Sequence, residues 1–399
     1  MSGSVNLVDL SFIGLMICLV ALYYVYFGYQ QLLSVLAKLL RAERNAGATP
    51  VECLEREGIS VYLSVLNGAD QIEDRLENIF DTDFPNSQLE VIIFSDGSTD
   101  NTCKISNQYA VANPSHVVRI FDYSDNVGQY RSQNAAAEEA KFDILLSTDL
   151  DARFENRTIT EICGSFRCPR VGVAGAKILY DRVALQSAIS SSYQKYRGSE
   201  HLIRQRESAL GVGVKVDGPC MAYRKLLHDE LQPWEDVDQV MPMIARKAGY
   251  KTVHVDSAIC HDVANLSGIR DLKQRSRMTR KACWCLASRW KLKNVFGHPL
   301  FTLALISHKY FRFLSPAFLI LGVGFGLTLF IQLFQQSLVF ISLSLAPIIP
   351  LLFPLGRKML GAFLVANAGF LWGLITAVTG EKTGAYSPTN PAIDTAINE

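Results

Sequence analysis

Apolar residues fall into three regimes along this chain. Between Asp9 and Lys38 there is no charge, and Phe12 to Phe27 is almost wholly apolar. That length is enough to cross a bilayer as a helix. Tyr23, Tyr24, Tyr26 and Tyr29 cluster toward its end, as residues of a membrane–water interface do. From Phe313 to Gly356 charge is again absent, and Met359 to Thr379 is a further apolar run behind Arg357-Lys358. Between these ends, short apolar runs alternate with amphipathic stretches.

The alternation predicts strands at Ile59–Val65, Glu90–Ser95, Val117–Phe121 and Asp143–Thr148. Helices are predicted at Asp70–Phe80, from the spacing of Ile72, Leu76 and Ile79, and at the alanine-rich Tyr130–Ala140. Strands alternating with helices imply an α/β fold with a parallel sheet and right-handed crossovers. Further on, Val171–Lys177 reads as a strand and Gln186–Arg206 as a helix. Lys215–Arg224 reads as a turn embedded in strands, Asp236–Ala248 as a helix closed by Gly249, and Thr252–Val255 as a strand.

The ends predict α-helical transmembrane segments. Residues 10–37 read as one span, 45–298 as a cytosolic domain, 299–315 as an interfacial helix, 316–379 as three spans and 380–399 as a tail. Lys38, Arg41 and Arg44 follow the first span and keep that side in the cytoplasm. The first run lacks a basic start and a small-residue cleavage site, so it reads as retained. The expectation is a multi-pass integral protein of the inner or plasma membrane, with the lipid bilayer as a partner and both termini outside.

Lys and Arg total 39 against 38 Asp and Glu. This balance argues against a nucleic-acid partner, which selects for basic excess. The nine cysteines are scattered without zinc-ligand spacing, and read as reduced thiols in a cytosol-facing domain.

The candidate chemistry lies at strand ends. Asp149 and Asp151 close the fourth strand, and Asp96 closes the second. In open α/β sheets ligands bind beyond the strands' carboxyl ends. Residues one apart on a strand face the same way, so Asp149 and Asp151 can converge on a hard cation, Mg²⁺ or Mn²⁺. An acidic strand-to-loop turn is the alternative reading of the pair alone.

Four stretches together resemble the family 2 glycosyltransferases of the membrane-bound kind that includes cellulose, chitin and hyaluronan synthases. They are Val91 to Asp100 (the strand and Asp-Gly-Ser-x-Asp loop), Thr148-Asp149-Leu150-Asp151-Ala152 (Asp-x-Asp), Glu235-Asp236-Val237-Asp238, and Gln274-Arg275-Ser276-Arg277-Met278. The resemblance covers roughly residues 58–315. It implies a Rossmann-like nucleotide-sugar-binding domain of GT-A type, with a mostly parallel sheet, and a polysaccharide product. A nucleotide-sugar donor, usually a uridine diphosphate sugar, would be held by Asn67, Asp96, Asp149, Arg275 and Arg277. Asp151 would bind the metal. Asp238 would be the general base on a glycan or lipid-linked acceptor, with Asp217, Gln274 and Met278 at the acceptor.

This sequence departs from that pattern. Gly68 stands where a glutamate is usual, Gln129 where a lysine is, and Met278 where a tryptophan is, although Asn134 is kept. Trp284 would serve as the missing ring or as an interface anchor. Asp236 competes with Asp238 as base, Asp217 reads equally as a turn residue, and His261-Asp262 reads as a third metal ligand or as structure. The basic run from Arg270 to Lys293 reads also as charge facing anionic lipid. Three functions remain open: a processive synthase working with other export-machinery subunits, transfer of a single sugar to a lipid-linked acceptor, and a catalytically weakened partner of another synthase.

Overall fold

The computed structural model describes residues 7–40, 58–180, 188–262, 268–334 and 354–380. Eight strands form one mixed sheet: β1 (Ile59–Val65), β2 (Leu89–Asp96), β3 (Val117–Tyr123), β4 (Ile144–Thr148), β5 (Arg153–Phe154), β6 (Val171–Tyr180), β7 (Met221–Arg224) and β8 (Lys251–Asp262). Their spatial order is β3-β2-β1-β4-β7-β6-β8-β5. The expected parallel half is present, with β3, β2, β1 and β4 all running the same way. Beyond it the sheet is mixed: β6 and β8 pair parallel, whereas β7 runs antiparallel to both β4 and β6 and β5 runs antiparallel to β8.

The helices are α1 (Leu7–Tyr23), α2 (Tyr29–Leu39), α3 (Ile72–Phe80), α4 (Thr102–Ala112), α5 (Gln129–Glu139), α6 (Thr158–Ser165), α7 (Ala188–Ala209), α8 (Val237–Lys247), α9 (Gly268–Arg289), α10 (Leu292–Gly297), α11 (Pro299–Leu305), α12 (Phe311–Phe313), α13 (Ser315–Phe334) and α14 (Pro354–Thr379). The sheet is buried on both faces, so its strands read as apolar runs rather than alternations. Val61, Leu63, Val91, Ile93 and Leu146 pack on α3 and α6. Tyr62, Ile92, Phe94 and Leu145 face α5, α8 and α11. Each such aliphatic side chain contributes about 1.5–3 kcal/mol by leaving water.

Two described helices are long and apolar enough to cross a membrane, Val8–Leu39 and Ser315–Gln332. The first is continuous through a wider π turn at Tyr24–Gly28. Of the three spans expected over residues 316–379, the stretch 335–353 lies outside the described residues. The last apolar helix, Phe363–Thr379, is shorter. It lies along α9. A Cβ on Gly373 would sit 2.6 Å from Thr279 Cβ, and one on Gly369 would sit 2.9 Å from Arg275 Cβ. Trp284 Nε1 donates to Ala377 O at 2.9 Å, so this indole docks α9 on α14.

The interfacial helix expected over residues 299–315 also differs. It is α11, a π turn at Ile306–Tyr310, and α12. Its Ser307, His308 and Lys309 are buried in protein rather than turned toward a membrane surface. Their polar groups meet Tyr24, Glu207, Glu200 and Gln239, so this stretch is a docking seam within the protein.

Candidate active site

The carboxyl ends of β1, β2 and β4 meet in one cleft, and local rules build each rim. After β2 the chain reverses at Gly97, whose φ is +78°, a conformation glycine adopts without strain. A Cβ there would lie 2.6 Å from Asn126 N. The reversal leaves Asp96 buried, accepting from Val127 N at 3.1 Å and Gly128 N at 2.9 Å. Asp96 therefore fixes the loop that leads into α5.

Asn67 follows β1 with φ 53°, a left-handed conformation that asparagine tolerates better than most residues. Its amide donates to Ser98 Oγ at 3.1 Å, and its Oδ1 accepts from Thr99 N at 2.8 Å. The first two strand ends are thus tied together. Asp100 completes the clasp, accepting from Ala69 N and Thr102 N at 3.0 Å each. Burial opposes its ionisation, but the bonds from Thr102 and Ala69 prevail and hold its carboxyl below the usual range. Gly68 has a local reason: a Cβ there would lie 2.4 Å from Leu150 Cδ2. Leu150, between the two metal-candidate aspartates, fills the space of the missing glutamate. Asn134 bonds the backbone of Leu231 in both directions, at 2.8 and 3.0 Å, which is a structural role.

Asp149 and Asp151 leave β4 into this cleft. The Asp149 carboxyl is pushed up to about 7, first by burial and then by the charges of Asp151, Asp262 and Asp238. Three carboxylates therefore act on it, from the ends of β4 and β8 and from the start of α8. Asp149 and Asp151 are hard oxygen donors of the kind a divalent cation takes, but among the described residues no group of three or more His, Cys, Asp or Glu could hold a metal ion, so a cation there would need further oxygens from a bound diphosphate. His261 turns toward Glu155 at 3.1 Å, so the pair read as His261-Asp262 divides, and only Asp262 acts on Asp149.

The fourth rim is the start of α8. Glu235 is buried and accepts from Ser288 Oγ and Arg289 Nε at 2.7 Å each. Asp236 accepts from Lys281 Nζ at 2.6 Å. Both bind α9, whereas Asp238 meets Gln239 Nε2 at 3.4 Å. The Asp238 carboxyl is pushed up to about 6 by burial and by Asp236, with Asp217 adding to the effect and Lys309 and Lys281 opposing it. Asp217 itself is held in a two-bond fork by the buried Arg204, one bond at 2.9 Å.

Helix α9 presents two faces. Gln274, Arg277, Met278 and Lys281 share one by helical spacing, and Lys281 brings that face to Asp236. Arg275 lies on the other. Its Nε donates to both oxygens of Asp271 at 2.9 Å, and its guanidinium stacks on Phe370 of α14. The expectation that Arg275 and Arg277 act together on the donor is thereby divided, because residues two apart on a helix point to different sides.

Residues 60–231 match the model of the family described as glycosyl transferase family 2. That stretch is a family 2 glycosyl transferase domain. Relatives include a poly-beta-1,6-N-acetyl-D-glucosamine synthase of Staphylococcus epidermidis, 23% identical over 192 residues, 47% of this chain and 44% of the relative. Another, of the same description, is from Staphylococcus aureus, 24% identical over 214 residues, 52% and 50% of the two chains. The chain spans about half the length of these curated relatives. A mannosyltransferase from Pyrobaculum calidifontis, solved with GDP-Man and Mn²⁺, superposes with a TM-score of 0.70 at 18% identity, covering 92% of this chain and all of that one. The fold is thus GT-A-like α/β, and the family 2 domain and its relatives support glycosyltransferase activity.

Two residues around the cleft escaped the sequence reading. Arg75 on α3 is fully buried, with Nε donating to Asp149 O at 3.2 Å and a second nitrogen to Thr148 Oγ1 at 2.6 Å. Its guanidinium stacks 4.2 Å over the Phe154 ring. The signal was present, since Arg75 falls on the apolar stripe Ile72-Leu76-Ile79. The second is Lys309, buried beside α8 and donating to Gln239 Oε1 at 3.0 Å. It lies 71 residues from Asp238 in sequence, and nothing local announced it.

Proposed function

We propose that this chain is a membrane-embedded inverting glycosyltransferase that moves a sugar from a uridine diphosphate sugar to a growing polysaccharide or glycan. The observation that carries this reading is the match of residues 60–231 to family 2 on a sheet whose adjacent strands β2, β1 and β4 end at or just before Asp96, Asn67 and Asp149, with Asp238 in the first turn of α8. A general base must stand within reach of the group whose leaving partner the other carboxylates hold.

Asn67, Asp96 and Asp149 form the donor rim, and Arg277 faces the diphosphate. Asp151 with Asp149 would hold Mg²⁺ or Mn²⁺, which would supply positive charge against that developing on the leaving diphosphate. Asp238 takes the proton of the acceptor hydroxyl. At about 6 it is ionised at neutral pH and still basic enough for the task. Gln274 and Met278 lie on the face of α9 that borders this base, on the acceptor side. Val8–Leu39 and Ser315–Gln332 are long and apolar enough to cross a membrane, which supports a domain held at the bilayer with its donor cleft on the cytosolic side.

The test is release of nucleoside diphosphate from a panel of nucleotide sugars, using membranes that carry the intact chain. Metal-dependent turnover of one donor, lost in Asp151→Ala and Asp238→Asn, is the expected result. Long products assign polysaccharide synthesis, and single-sugar products on a lipid extract assign a lipid-linked acceptor. Absence of turnover and of donor binding with metal present overturns the enzyme reading.

A further inference from the structure

The segment Ile306–Tyr310 between α11 and α12 is a π turn. Such turns occur often at functional sites, and this one buries three consecutive polar residues. Each finds a partner on a different element. Ser307 Oγ lies 2.8 Å from Tyr24 OH at the end of the first apolar helix. His308 lies between Glu207 at 2.9 Å and Glu200 at 3.2 Å, both on α7. Tyr29 OH donates to the same Glu207 oxygen at 2.6 Å. With its neighbours fixed in this way, Lys309 is delivered to the start of α8, where its Nζ meets Gln239 Oε1 at 3.0 Å.

An ammonium has donors and no acceptor. Lys309 must therefore face the carbonyl oxygen of the Gln239 amide, and this turns the amide NH₂ toward Asp238. Gln239 Nε2 lies 3.4 Å from Asp238 Oδ2. We propose, on the reading that Asp238 is the base, that Lys309 is a positioning residue which orients and charges that carboxylate through Gln239. The groups that face Asp238 are Asp236, Lys309, Asp217 and Lys281, with Asp149 beyond β4 and Tyr62 of β1 also acting with it. Those that face Lys309 are Asp238, Lys215, Cys285 and Glu207. Asp236 and Lys281 pair with each other, and Asp217 pairs with Arg204. Among the charges around Lys309, that of Asp238 acts on it most, and the Gln239 amide lies between the two. The role also links the base to the helix that enters α13, since the same π turn carries all three contacts.

Lys309→Met and Lys309→Arg, made in the intact chain in membranes, test this. A nearby cation favours the ionised carboxylate, so removing it raises the pH at which Asp238 loses its proton. Lys309→Met is expected to move the acidic limb of kcat/KM upward by about one pH unit, close to a tenfold loss on that limb. Lys309→Arg is expected to restore the wild-type limb. A limb that does not move in Lys309→Met overturns the proposal. A second measurement needs no turnover: thermal midpoints of Lys309→Met, Asp238→Asn and the double variant at pH 7.5. Coupled residues give a non-additive cycle, and strict additivity overturns the role of Lys309. Absence of turnover in the wild type counts against the transferase reading, whereas additivity counts against Lys309 alone.

Discussion

Arg75 Nε donates to the backbone oxygen of Asp149 at 3.2 Å, so a fully buried guanidinium holds the main chain of the residue that opens the Asp-x-Asp turn. Its other nitrogens bind Thr148 Oγ1 at 2.6 Å and Asn78 Oδ1 at 2.5 Å. Asn78 in turn bonds Phe154 on the far side of the turn, accepting from its N at 2.8 Å and donating to its O at 2.9 Å. The aspartates are thus clamped before and after. Burial pulls the Arg75 guanidinium down to about 10, which leaves it charged at neutral pH beside the acidic cluster.

Arg75→Met is expected to weaken the apparent metal affinity of donor turnover, because outer partners that orient ligands typically contribute ten- to hundredfold. Arg75→Lys keeps the charge but loses the fork, and should recover little of that loss. A metal titration of nucleoside diphosphate release measures both. Unchanged metal dependence in a folded Arg75→Met protein would show that the clamp does not act on the metal pair.

The pH dependence of stability follows from Asp149 and Asp238. Both carboxyls are raised above the unfolded value, to about 7 and about 6. Between about pH 4 and those values the native state binds more protons than the unfolded chain, so stability falls as pH rises through this window. Removing the Asp149 charge should therefore raise the thermal midpoint at pH 7.5 while abolishing turnover. Divalent cation with nucleoside diphosphate should raise the wild-type midpoint and leave that of Asp149→Asn unmoved. Thermal scans across pH, with and without metal, check both statements.

Much of this was legible in the sequence for a physical reason. The period of the apolar runs specified β1, β2, β3 and β4 to within a residue or two, and the carboxyl-end rule brought Asp96, Asp149 and Asp151 together. What was not legible depends on partners distant in the chain. β7 is four residues long and antiparallel, and its direction is set by β4 and β6 rather than by its own pattern. Arg275 reads as a donor ligand until α14, almost a hundred residues later, covers its face of α9. Lys309 reads as a charge at a membrane surface until a π turn carries it inward. Short-range periodicity reports which side of an element is apolar, not which element will cover it.

The close seam between α9 and α14 is expected to be sensitive to volume. Gly373→Leu would drive side-chain atoms into Thr279 Cβ and Ser276 O, which already lie 2.6 and 2.7 Å from an ideal Cβ. Overpacking of this kind costs about 1–3 kcal/mol or forces the helices apart. The Gln274, Arg277 and Met278 face would move with α9, so donor turnover should fall while the sheet stays folded. Limited proteolysis of α14 together with turnover reads the effect. A variant that keeps full activity and wild-type protection would show that the seam tolerates separation.

Asp236 and Asp238 are separated by one residue and are expected to differ sharply in consequence. Asp236 is bound to Lys281, both partly exposed, and a pair of that kind contributes about 0–1 kcal/mol. Asp236→Asn should therefore cost less than about tenfold in turnover, mainly through the position of α9. It should also shift the acidic limb slightly downward, since Asp236 is the neighbour that most raises Asp238. Asp238→Asn removes the proton acceptor itself, a group worth about 10²–10⁴-fold in rate, and should leave nucleotide binding intact because the donor rim lies on β1, β2 and β4. Measuring kcat and donor affinity for the two variants side by side decides the assignment. If Asp236→Asn is the one that loses kcat with donor affinity preserved, the base is Asp236, and the Lys281 contact must then open before the acceptor is bound.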